Sequence, residues 1–598
     1  MPTDARLVWM ASERAAPLFR TLDRAYAFDP LIVLFCIVPA IVVAFAATCS
    51  AWDAAVALLA LDGIGIELPS QLHAAVREMV PEGSIEPTAL WLTAATLRGG
   101  GLHWPMGVVM ASLLGGVALM AMMWGFSNAF TGRRLAFWTV ILAAFHPTLM
   151  ALSICPVPVS VGLAGTVGAL WGHARLTERG YWAIGKVLWI GMAIALSLLI
   201  AGPIAFAGVL VLVIDTTLAW LFRPSPEVEQ RNARTMQPPW KLLGLRVLAL
   251  ALGFFLYWIG GLWIPEHYLS LETSDQPYVD EVPLELGLPT MQIGPLWGIM
   301  AIGIGRLVRL TQRRVGQRGG RYHPRLLLTW VVVSVAMLFW FPQSPDAAFD
   351  AKARFVLANA SVPLLITAAF AIEEAARRAV SGAWMILAFL LPLLMRVGDL
   401  MAFLPYDLPT IWLIALFLIP AAIWMMYSLI RALIPAGARG RVLLISTMLI
   451  VMVVDASDGI RLVFQEERSS SEVQRLADQL REEERCDGVV ILTQEETPLT
   501  LVHSLRMVYQ DVPLRIASNW DEAVGRMRRD TEQTWRRPLV ISWGQGALVA
   551  AASPDVLRPI GEPMMFQGRA LLRYIADRPV VSAPGMEITA SPPEADPR

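Results

Sequence analysis

Two apolar runs meet in GKVLWIGMAIALSLLIAGPIAFAGVLVLVIDTTLAWLFR, residues 185–223. A hydrocarbon core about 30 Å thick needs roughly 20 apolar residues of helix, so each run is long enough to cross a bilayer. Because proline interrupts a helix, Gly202-Pro203 predicts two spans, 184–201 and 202–222. One kinked helix is the alternative.

The same pattern continues in both directions along the chain. Hydrophobic residues make up 56% of the sequence and charged residues only 16%, against about a quarter in soluble domains. Thirteen apolar stretches are predicted helices, because helices satisfy their own backbone hydrogen bonds in lipid. They are 31–51, 105–126, 135–152, 157–174, 184–201, 202–222, 242–262, 291–308, 326–342, 354–372, 382–404, 410–430 and 442–455. The predicted fold class is an all-α polytopic membrane protein.

The basic residues orient this membrane region. With the N-terminus in the cytoplasm, 26 Lys and Arg residues fall in segments assigned inside. The outside segments hold four, namely Arg77, Arg98, Lys352 and Arg354. Segment 263–290, also assigned outside, has six acidic residues and no Lys or Arg. The positive-inside rule therefore predicts a multi-pass membrane protein with a cytoplasmic N-terminus.

The polar segments complete the predicted organisation. The predicted parts are a cytoplasmic segment 1–30, a transmembrane domain 31–455 with an external loop 52–104, an amphipathic connector 456–485, a small α/β domain 486–581 and a disordered tail 582–598. The last span is short, since Asp455 and Asp458 interrupt it. If it crosses, as we expect, the α/β domain is extracytoplasmic; if not, it is cytoplasmic.

The α/β prediction rests on an alternation of strand and helix patterns. Strands are predicted at 488–493, 514–518 and 538–543, with helices at 501–509 and 521–529 between them. This order is typical of parallel strands. The Gly544-Gln545-Gly546 sequence after the third strand lacks the further glycine and lysine of a phosphate loop, so we interpret it as a turn.

Four positions near membrane depth carry candidate chemistry. Lys352 and Arg354 are basic residues on the outer side, which the positive-inside pattern otherwise keeps nearly free of cations. A phosphate-binding role would explain their presence there, because the guanidinium group matches phosphate oxygens. Pairing with nearby acids is the alternative. Arg396, which could pair with Asp399, could instead present charge to an anionic head group, and Asp215 is predicted to be a structural, hydrogen-bonded acid. The four cysteines form no CxxC or other metal-ligand pattern.

Several segments resemble the glycosyltransferase C superfamily, in particular bacterial relatives of protein O-mannosyltransferases and of the lipid A aminoarabinose transferase. The similar segments are Thr131–Ser153, Gly191–Asp215 with its Ala201-Gly202-Pro203, Ala351–Ile372 with a KxxR sequence, and Leu102-His103-Trp104-Pro105. The resemblance implies a glycosyltransferase of a bacterial inner membrane that takes a sugar from a polyprenyl-phosphate donor and transfers it to a glycan, lipid or protein acceptor on the outer face. No nucleic-acid partner is expected, and whether a divalent metal is required stays open.

The resemblance also implies roles for individual residues. Asp53, at the outer mouth of the first span, would be the catalytic base. Lys352, Arg354 and Arg396 would bind the donor phosphate, and His103 would lie in the substrate site. Loop 52–104 would cover the acceptor.

Two departures from the family pattern favour another class of function. Ala54 follows Asp53 where the family has a second acid, and Val157-Pro158 stands where an acid often follows the third span. The alternative is a non-enzymatic membrane scaffold or sensor with the α/β domain as its binding module. A transporter is disfavoured, because charges inside the spans are sparse and no inverted repeat is detectable.

Overall fold

The membrane region folds as packed apolar helices. The structure, a computed structural model, describes residues 51–66, 68–80, 85–99, 106–144, 146–177, 183–221, 238–264, 297–314, 324–340, 351–377, 476–477, 479–480, 486–510, 512–529, 535–544, 556–566 and 568–576. Within these residues, four stretches are long and apolar enough to cross a membrane, at Gly107–Phe130, Ala183–Leu221, Trp240–Leu262 and Phe355–Glu373. The predicted helical membrane protein is confirmed. The total of thirteen spans stays a prediction, since those beginning at residues 31, 382, 410 and 442 lie almost entirely outside the described residues.

The chain divides into two compact units. One, called here the membrane unit, comprises Met1–Ala47 and Pro81–Gln465. The other, called the second unit, comprises Thr48–Val80 and Glu466–Arg598. The first part of the predicted external loop therefore groups with the C-terminal region, which the sequence pattern did not indicate.

The described helices of the membrane unit follow the apolar pattern. They are α3 (Pro87–Gly99), α4 (Met106–Phe130), α5 (Arg133–Ala144), α6 (Pro147–Ser153), α7 (Val159–Leu176), α8 (Ala183–Ala201), α9 (Phe206–Leu221), α10 (Pro239–Leu262), α11 (Trp297–Arg314), α12 (Pro324–Trp340) and α13 (Ala351–Arg377). The predicted span 135–152 is two helices, α5 and α6, because Pro147 disfavours helix at the residue before it. A 3₁₀ turn at Gly202–Ala205 separates α8 from α9.

Helices α8 and α9 form an antiparallel hairpin. Near the start of α8, Lys186 Nζ donates to the Arg175 carbonyl at 2.6 Å, at the end of α7. Near the end of α9, Asp215 Oδ2 lies 3.0 Å from His173 Nε2, two residues from Arg175. Because both ends of the stretch meet the same end of α7, the chain reverses at Gly202, whose φ is +61°. The stretch therefore forms two helices, as predicted, and not one kinked helix.

Helix α7 is the centre of the membrane unit. Nearly all of its side chains are buried, and it packs against α4 on one side and α8 on another. Polar contacts add to the apolar ones, since Thr166 Oγ1 and Ser197 Oγ lie 2.7 Å apart and Trp189 Nε1 donates to the Gly168 carbonyl at 3.0 Å. Hydrogen bonds between helices are a common means of association where lipid supplies no hydrophobic driving force.

Exposed tryptophans mark both ends of α10. Trp240 at its start is 73% exposed and Trp263, directly after its end, is 83% exposed. At 1.5 Å per residue they lie ~35 Å apart along the helix axis, which is close to the thickness of a bilayer between its interfaces. Tryptophan is enriched at membrane–water interfaces, and this spacing fits that position.

The second unit contains a mixed sheet. Its strands are β1 (Val489–Leu492), β2 (Leu514–Ala517), β3 (Leu539–Trp543), β4 (Leu557–Pro559), β5 (Met564–Phe566) and β6 (Arg569–Ala576), in the order β2-β1-β3-β6-β4 with β5 also on β6. The pairs β1–β2 and β1–β3 are parallel, as predicted, and β6 runs antiparallel to β3. Strands β4 to β6 were not predicted; β4 and β5 are only three residues long.

Four helices complete the described part of the second unit. They are α1 (Ala51–Asp62), α2 (Ser70–Met79), α14 (Leu499–Val508) and α15 (Trp520–Arg529). Helix α1 packs on α14, and every residue from Ala54 to Leu58 is fully buried. The apolar run at the start of the predicted loop thus forms part of this core.

Helix α15 begins with reciprocal capping. The Glu522 backbone N–H donates to Asn519 Oδ1 at 2.8 Å, and Ser518 donates to the Glu522 carboxylate from its hydroxyl at 2.6 Å and from its backbone at 2.8 Å. These bonds, with the nearby Arg526, lower the pKa of Glu522 to about 2. Each cap satisfies a donor that the first helical turn leaves free.

The hairpin turn gives the first testable prediction. Gly202→Ala should lower the thermal unfolding temperature of the purified protein, because a Cβ at a φ of +61° costs roughly 1–2 kcal/mol and would also overlap the Glu86 carboxylate. The matched control is Gly244→Ala in α10, where an added Cβ meets nothing within 4 Å. Equal unfolding temperatures for the two variants would contradict the strained turn.

A buried histidine gives a pH prediction for the second unit. His503 on α14 is fully buried, and this burial lowers its pKa to about 3, from an ordinary value of 6.5. Below pH 6.5 only the unfolded chain takes up this proton, so the free energy of unfolding should fall by up to about 1.4 kcal/mol per pH unit until pH approaches 3. This slope is measured by urea unfolding of the full chain at pH 7 and pH 5. The protease susceptibility of the second unit serves as the readout of unfolding. His503→Leu should reduce the slope; a slope identical to that of the wild type would show that His503 does not contribute.

Candidate functional site

A glutamate lies against the turn between α8 and α9. The carboxylate of Glu86 occupies the space that a Cβ on Gly202 would need, and the Glu86 carbonyl accepts the backbone N–H of Leu90 in the first turn of α3 at 3.1 Å. The Gly202–Ala205 turn in turn contacts α13, whose first turn carries Lys352 and Arg354. These parts all belong to the predicted outer end of the membrane unit.

The segment before α7 is held by hydrogen bonds to its backbone. Thr93 Oγ1 donates to the Pro156 carbonyl at 3.0 Å, and Ser112 Oγ donates to the carbonyls of Cys155 and Val157, the latter at 3.2 Å. Cys155 and Val157 are buried. Val157-Pro158, where the sequence resemblance implied an acid, is therefore a packed structural turn.

The predicted site residues fall in different parts of the structure. Asp53 lies in the first turn of α1, in the second unit, and is half-buried. Lys352 and Arg354 belong to the membrane unit, where their backbone is helical and their side chains lie outside the described residues. His103 and Arg396 lie outside the described residues altogether. The structure therefore does not test the predicted grouping of these residues.

Asp215 is the best-defined charged group of the membrane unit. Its Oδ2 lies 3.0 Å from His173 Nε2 and 3.5 Å from Arg246 Nη2, and its Oδ1 accepts Arg325 Nε at 2.9 Å. His173, Asp215 and Arg246 are each at most 5% exposed. The carboxylate thereby connects α7, α9, α10 and α12. The interpretation of Asp215 as a hydrogen-bonded structural acid agrees with this geometry.

The second unit has an ion pair beside the carboxyl ends of its parallel strands. Glu495, shortly after β1, pairs with Arg569 on β6, and the Arg569 guanidinium lies 5.1 Å from the centre of the Trp543 ring. Gly544, after β3, has a φ of +90°, as a turn residue would. Gln545 and Gly546 lie outside the described residues, so the distinction between turn and phosphate loop rests on Gly544 alone.

No group of three or more His, Cys, Asp or Glu side chains among the described residues is arranged to hold a metal ion.

The structure describes three charged groups that were not predicted from the sequence. The sequence gives Glu86 no role, and it places Arg246 and Arg325 only among the basic residues assigned inside. The signal that could have found the two arginines is the lone Asp215 inside an apolar span, since such a charge requires a partner.

Comparison with known proteins shows the fold of this chain. No protein-family model matches the sequence, and no curated protein sequence matches it either. Among solved structures, the crystal structure of ArnT from Cupriavidus metallidurans bound to undecaprenyl phosphate is similar with a TM-score of 0.54 and 13% identity, covering 92% of this chain and 98% of that one. The same protein in the apo state gives 0.52 and 14% over the same shares. The predicted resemblance to the glycosyltransferase C superfamily is thus confirmed for the fold.

The Asp215 contacts predict a large effect on stability. Asp215→Asn should lower the free energy of unfolding by about 3–5 kcal/mol, because it leaves the buried guanidinium of Arg246 and the partly exposed guanidinium of Arg325 without their carboxylate. Thermal unfolding in detergent measures this. Thr217→Val is the control, since the exposed Thr217 hydroxyl bonds only a carbonyl of its own helix at 2.9 Å. If both variants unfold together with the wild type, Asp215 does not hold the four helices.

Proposed function

We propose that this protein is an integral membrane glycosyltransferase that transfers a sugar from a polyprenyl-phosphate donor to an acceptor on the extracytoplasmic face. The observation that carries the proposal is the ArnT fold, which extends over 92% of this chain and 98% of ArnT, and which in one structure holds undecaprenyl phosphate. A fold shared at 13% identity does not fix the donor sugar or the acceptor.

The donor site is proposed at the start of α13. Lys352 and Arg354 are the outer cations there, and Arg396 would add a third contact to the donor phosphate. His103, at the end of the predicted external loop, would contact the substrate. The Gly202–Ala205 turn supports this placement, because it contacts α13 and because the Glu86 carboxylate lies against Gly202.

Two carboxylates are candidates for the general base. Asp53 has the position that the family resemblance assigns to the catalytic acid, at the end of the first predicted span. Glu86 is the acid that lies in the membrane unit itself, against Gly202. A base must come within hydrogen-bond reach of the acceptor hydroxyl, so activity measurements on the two variants will tell which carboxylate serves.

One observation favours the non-enzymatic alternative, a membrane scaffold or sensor whose second unit binds a partner. Helix α1, which carries Asp53, is built into the core of the second unit through its contact with α14. Asp53 could then serve only to begin that helix, where an acid is favourable to the helix dipole.

The test is sugar transfer by the purified full chain from polyprenyl-phosphate sugars. We expect Asp53→Asn to remain folded and to lose transfer by at least a factor of about 100, the typical contribution of a general base. Glu78→Gln is the matched control, because Glu78 is an exposed acid of the same loop and should be dispensable.

The remaining outcomes separate the proposals. Full activity of Asp53→Asn together with loss of activity in Glu86→Gln would move the base to Glu86. A folded wild-type protein that transfers sugar from none of the polyprenyl-phosphate donors would contradict the enzyme and favour the scaffold.

A further inference from the structure

The buried cluster around Asp215 holds more positive than negative charge. Within the described residues, one carboxylate faces the guanidinium groups of Arg246 and Arg325 and the imidazole of His173. Both carboxylate oxygens already have close partners, at 3.0 Å and 2.9 Å. Asp215 therefore neutralises one guanidinium and leaves a net positive charge in the cluster.

Arg246 is poorly satisfied for a buried cation. It is 4% exposed, and its ion pair with Asp215 has a length of 3.5 Å. Its Nε–H has no hydrogen-bond partner among the described residues. A guanidinium offers five N–H donors, and a buried charge is costly unless it is paired and hydrogen-bonded. Donors on Arg246 thus remain for an acceptor that the described residues do not provide.

Arg325 connects this buried group to the surface. It lies in the first turn of α12, and its side chain is 32% exposed. Its Nε–H donates a hydrogen bond to Asp215, while no described residue accepts a hydrogen bond from its two terminal nitrogens. The neighbouring helices carry exposed tryptophans, Trp220 on α9 and Trp240 on α10. Arg246 lies six residues after Trp240, ~9 Å further along the helix axis. The cluster therefore lies close to the membrane interface that these tryptophans mark.

We propose that Arg246 and Arg325 form a binding site for the phosphate group of an anionic phospholipid, at the end of the membrane unit predicted to face the cytoplasm. Two guanidinium groups suit phosphate oxygens, which accept forked hydrogen bonds. Basic pockets between membrane helices on this side bind anionic head groups. The site is separate from the proposed donor site at the outer end, and it does not depend on sugar transfer.

The experiment measures thermal unfolding of the full chain in neutral detergent during titration with phosphatidylglycerol, with phosphatidylcholine or with inorganic phosphate. We expect phosphatidylglycerol to raise the unfolding temperature to saturation and phosphatidylcholine to leave it unchanged. Arg325→Gln should shift the half-saturating phosphatidylglycerol concentration about tenfold upward, which corresponds to one charge-assisted hydrogen bond. Each variant is compared with its own lipid-free baseline, because Arg325→Gln also weakens the contact with Asp215.

Two variants separate the site from general attraction to a charged surface. Arg309→Gln removes an exposed arginine on α11, also predicted to be inside, and should keep the wild-type response. Arg325→Lys keeps the charge without the fork and should fall between wild type and Arg325→Gln. Equal responses to the two lipids, or equal losses in Arg309→Gln and Arg325→Gln, would overturn the proposal. A response to inorganic phosphate alone that phosphatidylglycerol does not increase would overturn the lipid head group as the ligand.

Discussion

The membrane unit depends on one buried carboxylate. In an apolar medium a lone charge is expensive, so Asp215 can persist in α9 only with partners, and those partners must come from other helices. His173, Arg246 and Arg325 supply them from α7, α10 and α12. Four helix ends that are far apart in the sequence are thereby fixed at one level. These are all ends that the loop charges assign to the cytoplasmic side, so the geometry agrees with the predicted orientation, which itself stays a prediction.

The Asp215 contacts fix one end of the α8–α9 hairpin, and the other end is the Gly202–Ala205 turn. Because the chain must reverse within the Gly202–Ala205 turn, the backbone there takes a left-handed conformation and leaves room for the Glu86 carboxylate. The same turn contacts α13, which starts with Lys352 and Arg354. An acid and a helix that starts with two cations thus come to a common end of the membrane unit, a combination suited to acceptor activation beside a phosphate.

Sequence alone could predict the apolar helices and the alternation of β1, α14, β2, α15 and β3, because burial imposes a period or a length on the chain. It could also predict that Asp215 is structural, since an isolated acid in an apolar span requires neighbours. It could not name Arg246 and Arg325, because the pairing depends on which helix ends meet. The predicted site residues are a different case: Asp53 is described in the second unit, while the side chains of Lys352 and Arg354, and all of His103 and Arg396, lie outside the described residues.

The position of α1 bears on whether Asp53 is a catalytic base or only a structural residue at the start of a helix. A helix with five consecutive fully buried residues, Ala54 to Leu58, is held by its packing on α14, so the backbone of Asp53 is fixed by the core of the second unit. A fixed backbone suits a general base, because catalysis gains from preorganised groups. It suits a structural helix start equally well. Burial therefore cannot distinguish the two roles. What distinguishes the two roles is whether the Asp53 carboxylate contacts an acceptor hydroxyl. Glu86, which lies in the membrane unit beside the Gly202 turn, is the second carboxylate with which the activity of the Asp53 variant is compared.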